Sequence, residues 1–71
     1  MNASRMEITV NGQPRGIAPG QTVLDLLRAL ELDPARVAVE LDREILKQPL
    51  WSSTELRDGA QLEIVQFVGG G

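Results

Sequence analysis

Three segments of the chain alternate apolar and polar residues with the period of a half-buried strand. They are Met6-Glu7-Ile8-Thr9-Val10, Val37-Ala38-Val39-Glu40-Leu41 and Leu62-Glu63-Ile64-Val65-Gln66-Phe67-Val68. The first two put Met6, Ile8, Val10, Val37, Val39 and Leu41 on one side, and these are the expected core positions. Asn11-Gly12 follows the first segment, and both residues tolerate a positive φ, so a hairpin is expected there. It returns through a short strand over Pro14–Ala18, with Ile17 inward. Pro14 places that strand at a sheet edge, where a missing N–H does no harm. Pro19-Gly20 then turns the chain.

One segment carries the helical period. Val23, Leu26, Leu27 and Leu30 form an apolar stripe within Thr22–Leu32, with Asp25, Arg28 and Glu31 mostly opposite. Thr22 is the expected N-cap and Asp25 its capping-box partner. Asp33-Pro34 is the expected stop, because the residue before a proline avoids the α region. After the Val37–Leu41 strand, Asp42-Arg43 reads as a turn and Glu44–Lys47 as a short returning strand. Pro49–Thr54 reads as a loop, Ser53–Leu56 as one helical turn, and Asp58-Gly59 as a tight turn before the last strand. Strands in two groups about one helix predict a two-layer α+β domain.

Composition narrows the chemistry. The chain has 71 residues, room for one domain, and neither Cys nor His. A disulfide framework, a Cys/His zinc site, a thiolate nucleophile and a histidine base are therefore excluded. Paired carboxylates remain formally open as an enzyme's machinery. The net charge is −3 and the seven basic residues are scattered, which disfavours nucleic-acid partners. No apolar run is long enough for a signal segment or a membrane span, and a cytoplasmic location without membrane partners is expected.

The feature with chemical content is the ending. A strand reaching Val68 is followed by Gly69, Gly70 and Gly71. Glycine has no Cβ and permits nearly any backbone angle. Such a tail can thread a narrow partner tunnel and present its carboxylate to bound ATP. A frayed terminus has the same composition. The tail alone leaves both readings open.

Four segments together resemble the ThiS sulfur-carrier family of thiamine biosynthesis. They are Ile8-Thr9-Val10-Asn11-Gly12, Thr22-Val23-Leu24-Asp25-Leu26-Leu27, Pro34-Ala35-Arg36-Val37-Ala38-Val39-Glu40-Leu41, and Asp58-Gly59 through Leu62-Glu63-Ile64-Val65 to Val68-Gly69-Gly70-Gly71. The resemblance implies a ubiquitin-like β-grasp fold with a mixed sheet of four to five strands. It also implies a domain over 1–68 and a flexible glycine tail over 69–71. The last strand would lie beside the first, near the sheet centre.

The implied function is that of a carrier and co-substrate, without catalytic residues or a tightly bound cofactor of its own. Gly71 would be adenylated by a ThiF-type enzyme using ATP and converted to a thiocarboxylate. The sulfur would come from a donor such as a cysteine desulfurase and go to a ThiG-type thiazole synthase. Two turns depart from the family's frequent pattern, with Asp42-Arg43 in place of Asn-Gly and Ala60 in place of an aspartate. A MoaD-like carrier for molybdopterin synthesis and a β-grasp binding module with a passive tail are the alternative readings.

Smaller features complete the expectations. Val65, Phe67 and Val68 are candidate docking residues, since Val65 and Phe67 alternate away from the helix side. Trp51 is expected to close the core. Ser52-Ser53-Thr54 has no histidine to activate it and is expected to serve a turn. Glu40, Asp42 and Glu44 are expected to face solvent.

Overall fold

A computed structural model gives the fold, and it describes residues 5–68. Five strands and one α-helix follow the expected order. They are β1 (Met6–Val10), β2 (Gln13–Ile17), α1 (Val23–Ala29), β3 (Val37–Leu41), β4 (Glu44–Leu46) and β5 (Gln61–Gln66). The strands form one mixed sheet in the order β2-β1-β5-β3-β4. β5 is the central strand, parallel to β1 and antiparallel to β3. The edges are β2, which carries Pro14, and the three-residue β4. A proline and a short strand both discourage pairing with foreign chains.

The apolar alternation decides which side of the sheet is covered. Ile8, Val39, Leu62 and Ile64 face α1 and join Val23, Leu26 and Leu27 in a buried core. Their neighbours Glu7, Ala38, Glu40, Glu63 and Val65 lie on the opposite, uncovered face and are exposed. This is the physical meaning of period 2 in a two-layer domain. Trp51 is buried as expected, and its indole N–H donates to the Leu46 carbonyl at 2.8 Å.

The helix begins where expected. Thr22 Oγ1 accepts from the Asp25 N–H at 3.1 Å, and Asp25 Oδ2 accepts from the Thr22 N–H at 3.0 Å. The backbone bond from Thr22, with its side chain and Arg28 acting in the same direction, holds the Asp25 carboxyl below its ordinary value. The helix ends earlier than the sequence suggests. Leu30 is the C-cap, and Glu31 adopts a left-handed φ of 60°. The Leu32 N–H reaches back to the Leu27 carbonyl and the Glu31 N–H to that of Arg28. These are the two bonds of a Schellman ending, here built on Glu instead of Gly. Asp33-Pro34 starts a separate 3-10 turn over Pro34–Arg36 and does not stop α1.

Other boundaries also shift. β2 and β5 each start one residue earlier than expected, and β5 ends at Gln66. Ser53–Leu56 holds no helical turn; the turn is a 3-10 segment over Gln48–Leu50. Ser53 and Thr54 hydroxyls donate to the Leu50 carbonyl and close that turn. Glu55 instead bridges to Thr22 in the extended conformation. Backbone bonds from Val23 to Thr54 and from Leu24 to Trp51 satisfy two free N–H groups at the helix start.

Candidate functional site

The site is built on the central strand. β5 runs out of the sheet at Gln66, whose register partner Val37 is the first residue of β3. The paired register of the two strands ends there. One more backbone bond, from the Phe67 N–H to the Arg36 carbonyl at 2.7 Å, holds the chain as it leaves. The chain's exit is thus fixed by two strands and one loop bond, up to Phe67.

The exit is apolar and open. Val65 is 59% exposed on the uncovered sheet face, and Phe67 and Val68, beyond the strand, are 56% and 90% exposed. Large apolar side chains left in water beside one another are the usual mark of an interaction surface. The three docking candidates from the sequence therefore all lie at the surface, with Phe67 held by the Arg36 bond and outside the strand. The tail residues Gly69, Gly70 and Gly71 lie outside the described residues.

A further residue fixes the strand that carries the exit. Asn11 sits at φ 51° in the Asn11-Gly12 turn. Its Oδ1 accepts from the Ile64 N–H at 2.7 Å, and its Nδ2 donates to the Ile64 carbonyl at 3.1 Å. Along β5, β1 supplies backbone bonds from Thr9 to Ala60 and from Asn11 to Leu62. The Asn11 amide is the next rung of that ladder. A side-chain amide has the same donor and acceptor as a peptide group, so it can replace one where β1 turns away. The sequence marks Asn11 only as a turn residue; its reach across 53 positions has no local signature.

The second hairpin works in a related way. Asp42 and Arg43 have φ of 51° and 73°. Asp42 Oδ1 accepts from the Gln61 N–H at 2.9 Å, and the Asp42 N–H donates to the Gln61 carbonyl at 2.8 Å. This fastening gives Asp42 a reason to stand in a turn that otherwise favours Asn-Gly. Ala60 is buried beside it, where a methyl group fits and a carboxylate would lose water.

Among the described residues, no group of three carboxylates gathers where a metal ion would be held. No helix among them is long and apolar enough to cross a membrane.

A central exit strand, one crossing helix and an open apolar face define a ubiquitin-like β-grasp domain. The ThiS family model matches residues 8–71, and the chain belongs to the ThiS family. The sulfur carrier protein ThiS of Escherichia coli is 33% identical over 66 residues, which are 93% of this chain and 100% of that one. The crystal structure of the thiamine biosynthesis protein (ThiS) from Geobacter metallireducens matches with a TM-score of 0.74 at 37% identity. It covers 93% of this chain and 100% of that one. Thiazole synthase of Paramagnetospirillum magneticum is 39% identical over 66 residues, 93% of this chain and 20% of that protein. The chain thus spans about a fifth of the length of the thiazole synthases it matches.

Proposed function

We propose that this protein is a sulfur carrier in the making of the thiamine thiazole, and that its working group is the Gly71 carboxylate. The observation that carries the reading is the reach of the family match to residue 71, across all three glycines. The name of the Escherichia coli relative supports the carrier role.

A carboxylate is a poor electrophile and must first be activated. A ThiF-type enzyme would transfer AMP from ATP to a Gly71 oxygen and release pyrophosphate. The terminal sulfur of a persulfide, supplied by a donor such as a cysteine desulfurase, would then attack the acyl carbon and expel AMP, and a thiol would cleave the resulting acyl disulfide, leaving with the other sulfur as a disulfide. The product is a thiocarboxylate, which hands its sulfur to a thiazole synthase. The match to part of thiazole synthases supports that last partner. No side chain of the protein does bond chemistry in this scheme; only the Gly71 carboxyl reacts. The domain over 1–68 is the grip, 69–71 is the handle, and Val65, Phe67 and Val68 beside the exit meet the activating enzyme. The cytoplasm, where ATP is available, is the place of action.

The test is the intact mass after incubation with ATP, a sulfur source and a ThiF-type enzyme. The expected gain equals the exchange of one oxygen for sulfur, and it disappears when Gly70 and Gly71 are deleted, while the fold persists. Transfer retained without those glycines would sink the reading. No mass change with an enzyme proven active on another carrier would point to a MoaD-like acceptor pathway or a passive domain.

A further inference from the structure

The chain holds two asparagines, Asn2 and Asn11, and only Asn11 is followed by glycine. Asn-Gly is a reactive pair as well as a turn. The peptide nitrogen after an asparagine can attack the side-chain amide carbon and close a five-membered ring, and a glycine there puts no Cβ in the way. Asn11 and Gly12 are both exposed, so water reaches them. Among the described residues, no heavy atom stands within 4 Å of the place a Gly12 Cβ would take.

What opposes the reaction is the rung to β5. Asn11 Oδ1 accepts from the Ile64 N–H at 2.7 Å, and Nδ2 donates to the Ile64 carbonyl at 3.1 Å. Both ends of the amide are engaged by a distant strand. The ring closes only when the amide swings off Ile64 and back over its own peptide. That movement leaves two part-buried backbone groups of the exit strand without partners.

We propose that Asn11 is a self-modification site gated by its bonds to Ile64, and that its conversion loosens the strand from which the tail leaves. The Gly12 nitrogen gives its proton to base and forms a bond to Asn11 Cγ. The Cγ–Nδ2 bond breaks, and Nδ2 leaves as ammonia with a proton from water. A water molecule then opens the cyclic imide at one of its two carbonyls. One opening leaves an aspartate at position 11, and the other leaves an isoaspartate. One water is taken up and one ammonia lost, with no change of oxidation state.

Either product spoils the rung. A carboxylate has acceptors and no donor, so an oxygen in place of Nδ2 faces the Ile64 carbonyl with like partial charge. Asp42 shows why an aspartate serves elsewhere. Its carboxylate accepts from the Gln61 N–H while its own backbone N–H donates to the Gln61 carbonyl. The Asn11 backbone N–H is already given to the Leu62 carbonyl, so Nδ2 alone serves Ile64. An isoaspartate adds a methylene to the backbone, inside the hairpin that pairs Val10 with Gln13. The modification is independent of the carrier reading.

The experiment incubates the full chain in mildly alkaline buffer, with and without guanidinium chloride, and locates the acid products by peptide mapping. In guanidinium chloride, Asn11 is expected to convert faster than Asn2. In buffer alone, Asn11 should convert about tenfold or more slowly than in guanidinium chloride, because the rung must open first. Small additions of denaturant should raise that rate in step with amide exchange at Ile64. The Asn11→Asp variant reports the consequence: its thermal midpoint falls and its Ile64 amide exchanges faster than in the wild-type chain.

Equal rates in folded and unfolded chains would show that the bonds to Ile64 gate nothing, and would overturn the proposal. So would an Asn11 that stays intact in guanidinium chloride, or in folded chain whose Ile64 amide exchanges. An Asn11→Asp variant with wild-type midpoint and exchange would show that conversion loosens nothing, which overturns it as well. The carrier reading stands or falls separately, on the mass of the tail.

Discussion

The two faces of β5 share one backbone and one set of neighbours, yet they obey different rules. Leu62 and Ile64 point to α1 and are buried, whereas Glu63 and Val65 point away and are exposed. On the covered face, every position is explained by packing. On the open face, packing explains nothing, and a like-charge pair and several apolar side chains stand in water. Packing fixes the residues on one side of the strand and leaves those on the other side free, one residue apart.

Substitutions can break that contrast or sharpen it. The largest effect is expected for Leu62→Ala, which empties a fully buried position in the middle of the core. It should destabilise the domain by about 2–5 kcal/mol in denaturant unfolding. In so small a domain, that is a large share of the total. A loss below 1 kcal/mol would mean that the core is more plastic than its burial suggests. Asn11→Ala comes next, because it removes both bonds to Ile64 and puts Ala at a positive φ. A loss of about 2 kcal/mol is expected, and amide exchange should show faster opening at Ile64 than at Leu62. Glu31→Gly should act in the opposite direction. The left-handed C′ position favours glycine, so a gain of about 0.5–1 kcal/mol is expected from thermal unfolding. The smallest effect belongs to Val65→Ser, within about 0.5 kcal/mol for an exposed side chain. If Val65→Ser were as harmful as Leu62→Ala, the open face would not be open.

The strands were legible in the sequence because alternation is local and unambiguous. Met6–Val10 and Val37–Leu41 form as read. The start of α1 was legible for the same reason: Thr22 and Asp25 carry their own bonding partners three residues apart. Its end was not. Glycine usually marks a left-handed cap, and here Glu31 takes the position without that mark. The end of β5 was hidden too. Val65-Gln66-Phe67-Val68 keeps alternating, but β3 begins only at Val37, so the partner runs out before the pattern does. At the candidate site, the exposed side of Val65 followed from the period. The bond from Phe67 to Arg36 and the reach of Asn11 to Ile64 depend on how distant segments meet, which no short window contains.

The placing of β5 between a parallel and an antiparallel neighbour has a mechanical side. A partner that draws on the chain beyond Val68 pulls β5 along its own axis. Rungs on both flanks then resist in shear together, where a strand at the rim would be held on one flank only. The Asn11 amide at Ile64 and the Phe67 bond to Arg36 are the rungs nearest the pull, so tension meets them first. The domain is built as a cleat, able to hold fast while its line is hauled.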